Sequence, residues 1–531
     1  MKRFLLALGL LLGLCGGAWA QNPTCPTRPV GDSTNACAST AFVQNQVAPF
    51  FITCSTSQWV RSIATGLSVC SQPTAVDVAF TQAGTSAILR TVQLKLQDSV
   101  SVKDFGATGN GSTDDTTAVQ AALNAAATSG QCVYVPQGSY KITTTLTGST
   151  RCIIGDGYLG YGGTVYTSNS TQTTGFLSST FVCSLTINCI TLTSNLAFDL
   201  ERFQIQYPSS GVGSGVIGLT LSALGGSTNV NSGAFIKDVM ISGADNAIQL
   251  NNIYEFKIDN LKAVSSWISG LTINSPNYPN NGDSTVINST FWGNGVAGYL
   301  YHVGINSGGG YRIVNNKFNF GSATNTSCII LQPNLAVVQT IEPLIITANS
   351  CEASAVGINF NNGNVTNATI SQVAITGNQI WTGVAAIFVN SNGVGQWING
   401  LAVSGNFLQI VGGAAKTVNT LDNINDLRWG SNTIECSGGC SGNTTGVAVA
   451  AHVTNSIFGA DTFGTTIIFH YTSTSSVVFD DPSGVTLARL PATAANGSHV
   501  FVTDGAPATS PCTGASTGST AFRQNGAWKC F

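Results

Sequence analysis

The stretch Ile375-Thr-Gly-Asn378-Gln-Ile380 is one copy of a repeated pattern: an apolar residue, two spacers, Asn, one spacer and a second apolar residue. Other copies begin at Ile313, Ile346, Val403 and Trp429, and the steps between successive Asn residues are 33, 29, 28 and 26 residues. Short apolar runs repeated at this period are typical of a parallel β-solenoid, because each coil buries its apolar side chains only by stacking on its neighbours.

Weaker copies carry the pattern toward the N-terminus, at Asn288, Asn260, Asp238 and Arg202. With one coil per ~28 residues, we expect roughly eleven coils between residues 150 and 470, stacked at the ~4.8 Å spacing of paired strands. We attribute the repeated Asn to a turn, since Asn tolerates the left-handed backbone conformation and makes local hydrogen bonds.

A single amphipathic helix is predicted at 116–128, ahead of the repeats. Its apolar residues recur at helical spacing and Gly130 follows at the position of a C-terminal glycine. The predicted buried residues are Val119, Ala122, Leu123 and Ala126. We expect this helix to cover the first coil, which otherwise exposes an unpaired strand edge.

Charge is scarce in this chain. Only 8% of its 531 residues are charged and the formal net charge is -3, against about 25% charged residues in an ordinary soluble domain. No basic stripe is available for phosphates, which argues against nucleic acid as a partner.

The first twenty residues have the composition of a signal peptide. Lys2 and Arg3 precede an apolar run over 4–14, and small residues flank Trp19. We expect cleavage before Gln21 and export of the protein. The apolar run is shorter than the ~18 residues of a membrane span, and no later segment reaches that length, so we expect no membrane insertion.

Fourteen cysteines remain after Cys15, an even number that indicates disulfides in an exported protein. They fall into local couples, although sequence alone leaves the connectivity open: 25/37, 54/70, 132/152, 183/189, 328/351, 436/440 and 512/530. A metal site at Cys436, Cys440 and His452 is the alternative, but no second pair at zinc spacing follows. We expect no metal and no cofactor.

Composition divides the chain after the signal peptide into three parts. Residues 21–100 predict a small cross-linked module with a stem and a helix from Ser86 to Gln97. Residues 101–470 predict the solenoid, and residues 471–531 a small disulfide-closed β module.

A long stretch before the repeats carries a family resemblance. It runs Val102-Lys-Asp-Phe-Gly-Ala-Thr-Gly-Asn-Gly-Ser-Thr-Asp-Asp-Thr-Thr-Ala-Val-Gln-Ala-Ala-Leu123 and continues in Val133-Tyr-Val-Pro-Gln-Gly-Ser-Tyr140. It resembles the opening of the pectate-lyase-like, polygalacturonase-related β-helix superfamily. The resemblance covers about 100–470 and implies a right-handed, single-stranded parallel β-helix that acts on polysaccharide.

The N-terminal hundred residues resemble bacteriophage tailspike and tail-fibre segments, in Arg90-Thr-Val-Gln-Leu-Lys-Leu96 and Gly31-Asp-Ser-Thr-Asn-Ala36. Such proteins are usually homotrimers that bind or cut bacterial surface polysaccharide, so the resemblance implies a homotrimer. A signal peptide departs from the tailspike pattern and favours a secreted bacterial protein.

No catalytic signature of these families can be transferred, since paired Asp, Gly-His-Gly and Arg-x-Lys motifs are missing. Asp114 and Asp115 are interpreted as helix caps. Alignment of the repeats places Glu201, Lys237 and Asp259 at one equivalent position, which predicts an outward ladder of alternating charge. Asp238 aligns with Asn260 and is interpreted as a turn residue.

The polar insertion 274–283 is the best candidate for a site built on a loop. We select as catalytic carboxylates Glu255, Asp259 and Asp283, because glycan cleavage needs an acid and a base or nucleophile. The substrate-binding candidates are Trp267, Tyr278, Trp292, Tyr301, His302 and Arg312. For each single residue a structural role, in the core or in a turn, is the alternative.

The leading functional hypothesis is a secreted glycoside hydrolase or polysaccharide lyase. The alternative is a non-catalytic polysaccharide-binding fibre, adhesin or structural surface protein, favoured by the low charge and the missing motifs.

Overall fold

The computed structural model describes residues 59–64, 67–71, 74–158, 178–207, 215–224, 233–253, 255–274, 284–293, 301–306, 309–319, 326–332, 339–353, 355–360, 368–389, 398–412, 416–438, 444–450, 452–459, 461–464, 467, 469–473, 478–479, 499–502, 519–524 and 527–530. The chain divides into two compact units, Met1–Asp98 and Ser99–Phe531.

The first unit contains two antiparallel strand pairs, Trp59–Ala64 with Leu67–Ser71 and Ala79–Thr81 with Leu89–Thr91. A short helix, Val92–Leu96, follows directly, and the Thr91 side chain accepts a hydrogen bond from the backbone N–H of Leu94. The predicted helix from Ser86 to Gln97 is therefore too long, because Leu89–Thr91 within it is a paired strand.

The second unit is a parallel β-solenoid, as predicted, with three long sheets. Sheet I comprises Val100–Ser101, Val133–Val135, Cys152–Gly155, Phe198–Glu201, Ala234–Lys237, Phe256–Asp259, Ser284–Ile287, Tyr311–Val314, Gln339–Ile341, Leu344–Thr347, Ala368–Thr376, Ile398–Ser404, Ile424–Gly430, Val453–Thr454, Ile457–Phe458 and Val478–Phe479. His499–Val502 pairs with the last of these, and Ser519–Gln524 and Ala527–Cys530 continue it as antiparallel strands.

Sheet II contains 13 strands: Asn110–Asp114, Gly138–Ile142, Ser179–Cys183, Gln204–Gln206, Met240–Ser242, Lys262–Ser266, Thr290–Gly293, Lys317–Asn319, Ser350–Ala353, Gln379–Thr382, Phe407–Val411, Thr433–Ser437 and Thr462–Phe463. Sheet III contains 12: Leu146–Gly148, Ile190–Ser194, Ile217–Ala223, Asn246–Asn251, Ser269–Asn274, Tyr301–Ile305, Ser327–Leu331, Val356–Phe360, Ala385–Val389, Thr417–Leu421, Thr445–Val449 and Phe469–Ser473.

Eleven consecutive coils, from Cys152 to Ser473, each contribute a strand to all three sheets. This number agrees with the roughly eleven coils that the ~28-residue spacing predicts between residues 150 and 470. Inward side chains of equivalent positions stack from coil to coil, as the fully or almost fully buried Ile313, Ile346 and Ile375 do on sheet I. Each such burial contributes about 1.5–3 kcal/mol to stability.

The corner between sheets I and II is two residues long in the nine coils from Phe198 to Val449. Its first residue has the left-handed conformation, with φ between 53° and 67°, at Arg202, Asp238, Asn260, Asn288, Asn315, Ala348, Gly377, Gly405 and Ser431. The turn role predicted for Asp238 is thus confirmed.

The repeated Asn is the second corner residue, and it is buried rather than left-handed. Asn349 illustrates the arrangement: its Nδ2 donates to the carbonyl of Ile313, and its Oδ1 accepts from the backbone N–H and Nδ2 of Asn316. The ladder of such bonds joins Asn316, Asn349, Asn378, Asn406 and Asn432. The left-handed conformation predicted for this Asn was wrong, whereas the predicted local hydrogen bonding is present, as in the bond from Asn378 Nδ2 to the carbonyl of Thr376. The side chain also satisfies buried backbone groups across coils.

The weaker copies were aligned one residue out of register. Lys317 pairs with Thr290, so Ser289 is the equivalent of Asn316, and Asn288 is the equivalent of the left-handed Asn315. The same offset applies to Asn260, Asp238 and Arg202.

The predicted helix is confirmed as Thr116–Ser129, with Gly130 left-handed at its C-terminus and all four predicted apolar residues buried. Asp115, at its N-terminus, makes no side-chain cap. Its carboxylate instead accepts hydrogen bonds from the backbone N–H groups of Thr108 and Gly109. Asp114 supplies the bond to the helix, accepting from the N–H and hydroxyl of Thr116.

Three predicted disulfides are present, Cys132–Cys152, Cys183–Cys189 and Cys328–Cys351. Cys436 and Cys530 are also disulfide-bonded. Each of the other predicted couples includes a residue outside the described ranges. No helix in the described part of the chain is long and apolar enough to span a membrane.

Candidate functional site

Ionisable side chains are concentrated in the early coils. Residues 199–262 contain ten Asp, Glu, Lys or Arg residues, whereas residues 344–411 contain only Glu352. A solenoid needs no charge to hold its coils together, so this local enrichment marks the early coils as the place to look for chemistry.

The outer face of sheet I carries two rows of these side chains. Glu201 pairs with Lys237 and Lys237 with Asp259, which confirms the predicted ladder of alternating charge. The second row runs in register through Asp199, Phe235, Lys257, Thr285 and Arg312.

Asp259 lies at the centre of this face and is held from two sides. Lys257 Nζ lies 3.4 Å from its Oδ2, and Asn288 on the next coil donates from Nδ2 to its Oδ1 at 3.0 Å. The Asp259 side chain is about one-fifth exposed. These contacts leave a carboxylate in one orientation at the end of its strand.

The neighbouring corner extends this polar network. Asn260 Nδ2 donates to Oδ1 of Asp238 at 2.6 Å and to the hydroxyl of Tyr158 at 3.0 Å. Lys262 Nζ lies 5.0 Å from the centre of the Tyr158 ring, within the range of a cation–π interaction. Tyr158, far away in sequence, thus borders the same face.

Glu255 is exposed and lies one residue before the strand Phe256–Asp259. Four residues separate it from Asp259, which is roughly 13 Å along an extended strand. The two carboxylates are therefore too far apart to act together at one glycosidic bond within ~5–9.5 Å.

Asp283 and Tyr278, the two candidates on the insertion, lie outside the described residues. Asp283 directly precedes Ser284, whose Oγ accepts a hydrogen bond of 3.3 Å from the backbone N–H of Phe256. The starts of these two strands are therefore adjacent.

The aromatic candidates do not converge on sheet I. Trp292 is 36% exposed on the outer face of sheet II. Tyr301 is on sheet III, and its hydroxyl lies 3.1 Å from Oγ1 of Thr272. Trp267 is half-buried at the corner between sheets II and III. Arg312 alone shares the outer face of sheet I with Asp259.

His302 is completely buried, with its ring centre 5.8 Å from that of Phe318. Burial lowers the pKa of its imidazole to about 3, so the ring is neutral at ordinary pH. The structure thus corrects the assignment of His302 to substrate binding, because the side chain does not reach the surface.

Two groups were missed from sequence. On the first coils, the Tyr134 hydroxyl donates to Oδ1 of Asp156 at 2.7 Å, and this bond raises the Tyr134 pKa. On sheet II, Trp381 is 44% exposed. Trp381 follows the ladder residue Asn378 by three positions, and Trp292 follows the equivalent Ser289 by three. The sequence alignment of the early repeats was one residue off, so this equivalence was not seen.

Within the described ranges, no group of three or more His, Cys, Asp or Glu side chains is arranged to hold a metal ion. Between Asp199 and Arg312, the charged groups on the outer face of sheet I are carboxylates, ammonium groups and the guanidinium of Arg312.

Comparison with known proteins finds a family model that is similar to part of the chain. Residues 99–298 match the model for rhamnogalacturonase A/epimerase, pectate lyase-like proteins. Two curated proteins of Azotobacter vinelandii share a short stretch: mannuronan C5-epimerase AlgE3 and alginate lyase 7, each 56% identical over 43 residues. That stretch is 8% of this chain and only 2% and 5% of those proteins.

Two solved structures are similar to this chain. A tailspike protein of E. coli bacteriophage HK620, in complex with a hexasaccharide, is 13% identical with a TM-score of 0.47, covering 86% of this chain and 93% of the tailspike. PfbA, a surface adhesin of Streptococcus pneumoniae, is 15% identical with a TM-score of 0.43, covering 81% and 98%. Residues 99–298 are thus similar to pectate lyase-like proteins, and the described coils continue beyond them as one parallel β-helix.

Proposed function

We propose that the protein is exported and cleaves an extracellular or cell-surface polysaccharide, as a glycoside hydrolase or a polysaccharide lyase. The observation that carries this proposal is the charged outer face of sheet I, centred on Asp259, inside residues 99–298, which are similar to pectate lyase-like proteins. The short stretches shared with an epimerase and a lyase that act on uronate polymers are additional but limited support.

The reacting carboxylates are proposed to be Glu255, Asp259 and Asp283. In sequence, Glu255 directly precedes Phe256 and Asp283 directly precedes Ser284, and these two residues begin paired strands. We propose that this pair acts as in retaining glycosidases, in which one carboxylic acid protonates the leaving oxygen and the other attacks the sugar. Asp259, one strand length away from Glu255, would bind the substrate in a hydrolase or act alone as the base in a lyase.

A lyase would use the same face differently. Abstraction of a proton from a uronate needs a base, with cations to stabilise the carboxylate of the substrate. Lys257 lies 3.4 Å from Asp259, and Arg312 stands two coils further along the same outer face. These two cations are the groups that would receive a uronate.

The experiment is to incubate the oxidised mature protein, residues 21–531, with plant and bacterial polysaccharides and to follow new reducing ends and the ultraviolet absorbance of unsaturated uronates. Reducing ends alone mean a hydrolase, and both signals mean a lyase. We expect Asp283→Asn and Glu255→Gln to abolish cleavage without unfolding, whereas Asp199→Asn, on the same face, keeps it. Full turnover in both carboxylate variants would refute the assignment.

The second candidate function is a non-catalytic polysaccharide-binding fibre. It is favoured by the later coils, where residues 344–411 contain one charged side chain. Absence of cleavage of every polymer, together with retained binding, would decide for it.

We also propose a homotrimer, because the N-terminal hundred residues resemble tailspike segments. Light scattering coupled to size exclusion measures this directly, and a monomeric mass would refute it.

A further inference from the structure

Sheet II carries a row of side chains that the carboxylate site does not use. Its described members are Trp292, Asn319, Glu352, Trp381, Gln409 and Glu435, one from each of six successive coils. Asn319 and Glu352 belong to the row because they follow Phe318 and Cys351, which pair directly. We call this set the sheet II row.

Both tryptophans of the row expose a large part of the side chain, 36% for Trp292 and 44% for Trp381. Indoles dominate binding energies where they are present at a surface, because they offer a large flat apolar area with few rotatable bonds. Two indoles in one row therefore indicate a ligand that contacts more than one coil.

The distance between them follows from the fold. Three strand steps separate Trp292 from Trp381, which is roughly 14 Å at the spacing of paired strands. A ligand that contacts both indoles must therefore extend along the solenoid axis and must present apolar faces roughly 14 Å apart.

The residues between and beyond the indoles are polar. Asn319 and Glu352 stand between the two tryptophans, and Gln409 Nε2 donates to Glu435 Oε2 at 3.3 Å on the far side. Amide and carboxylate groups of this kind bond to hydroxyls, which both donate and accept. The row contains two carboxylates and no Lys or Arg. Lys317 is exposed beside Asn319 on the same face, so carboxylates outnumber ammonium groups there and a neutral chain is favoured over a polyanion.

We propose that the sheet II row binds a neutral polysaccharide chain lying along the solenoid axis, with pyranose rings stacked on Trp292 and Trp381. The proposal rests on the proposed function only in taking polysaccharide as the ligand. It places a binding surface on sheet II, whereas the proposed reacting carboxylates belong to sheet I. One segment of a polymer would thus be bound at the sheet II row while another segment reaches the carboxylates.

The test is affinity electrophoresis of the full mature chain in gels containing xyloglucan, galactomannan, polygalacturonate or alginate. We expect retardation by a neutral polymer. Trp292→Ala and Trp381→Ala should each weaken binding at least tenfold, and the double variant more. Ile457→Ala, which removes an exposed apolar side chain from sheet I, is the matched control and should bind normally.

Three outcomes would overturn the proposal: normal binding by the double variant, retardation by acidic polymers alone, or conversion of an oligomer to monomers by the double variant, which would assign the row to a subunit interface. Glu255→Gln separates the two proposals, because it should lose cleavage and keep binding. A wild-type protein that binds but cleaves nothing would refute the enzyme and leave the sheet II row supported.

Discussion

The indole Nε1 of Trp429 donates a 2.6 Å hydrogen bond to Oδ2 of Asp461, where the buried asparagine ladder ends. Asp461 Oδ1 accepts from the backbone N–H and Nδ2 of Asn432, as an asparagine would. In the earlier coils, the Nδ2 atom of each ladder asparagine donates a hydrogen bond to a backbone carbonyl. At Asp461 the neighbouring group is the N–H of the Trp429 indole, which needs an acceptor. The carboxylate of aspartate supplies this acceptor, and the Nδ2 of an asparagine would not.

We therefore expect Asp461→Asn to destabilise the protein by about 1–3 kcal/mol, the cost of leaving a buried donor unsatisfied. Urea unfolding measures the change. Adding Trp429→Phe removes the donor, so a double-mutant cycle should show favourable coupling between the two substitutions. Strictly additive effects would contradict this explanation of the aspartate.

Asn378, in the middle of the ladder, should be equally sensitive. Its side chain satisfies the carbonyl of Ile346 and the N–H of Asn349, so Asn378→Ala should cost about 1–3 kcal/mol or more. Asn399→Ala is the control, because Asn399 makes an exposed side-chain bond to Asn425. Equal unfolding midpoints for the two variants would refute a special role for the ladder.

His302 should contribute a pH-dependent part of stability. Its pKa falls from 6.5 in the unfolded chain to about 3 in the fold, so the unfolded state binds the extra proton between these values. Stability from the buried neutral ring is complete above pH 6.5 and is lost as pH falls toward 3. The unfolding free energy of His302→Gln should decline less from pH 7 to pH 4.5 than that of the wild type, and parallel curves would contradict the prediction.

Asp114 should contribute at lower pH. Hydrogen bonds from the Thr116 side chain, the Thr143 side chain and the Thr116 backbone lower the pKa of its carboxyl below 3.8. Its contribution is therefore present above pH 3.8 and is lost as pH falls through the lowered pKa. Thermal melting of Asp114→Asn should depend less on pH below 4 than that of the wild type, whereas the two proteins should show the same slope between pH 5 and 7.

The repeat and the helix could be predicted from sequence because each depends on local periodicity. The helix residues Val119 and Leu123 recur at its period, and Asn378 stands at a fixed distance from Ile375. The register of the early coils could not be predicted, since at Ser289 the ladder position has no asparagine and Asn288 beside it imitates one.

The site was harder to predict because it depends on which sheet a residue joins. Trp292 and Arg312 are twenty residues apart and lie on different faces, whereas Trp292 and Trp381 share one row. In the strand Tyr301–Ile305 four of the five residues are buried, so apolar and polar residues do not alternate. The sequence therefore does not show whether the His302 side chain points inward or outward.

In the nine coils from Phe198 to Val449, the corner between sheets I and II has a constant length of two residues, whereas the other connections between the sheets vary in length. Connections from sheet III to sheet I range from two residues, between Leu421 and Ile424, to ten, between Ala223 and Ala234. Because the asparagine ladder fixes the alignment of successive coils at the constant corner, insertions elsewhere change what one coil presents without displacing its neighbours. A longer connection in one coil can thus give a new binding specificity. Related sequences should therefore differ most in the connections from sheet III to sheet I, whose lengths vary.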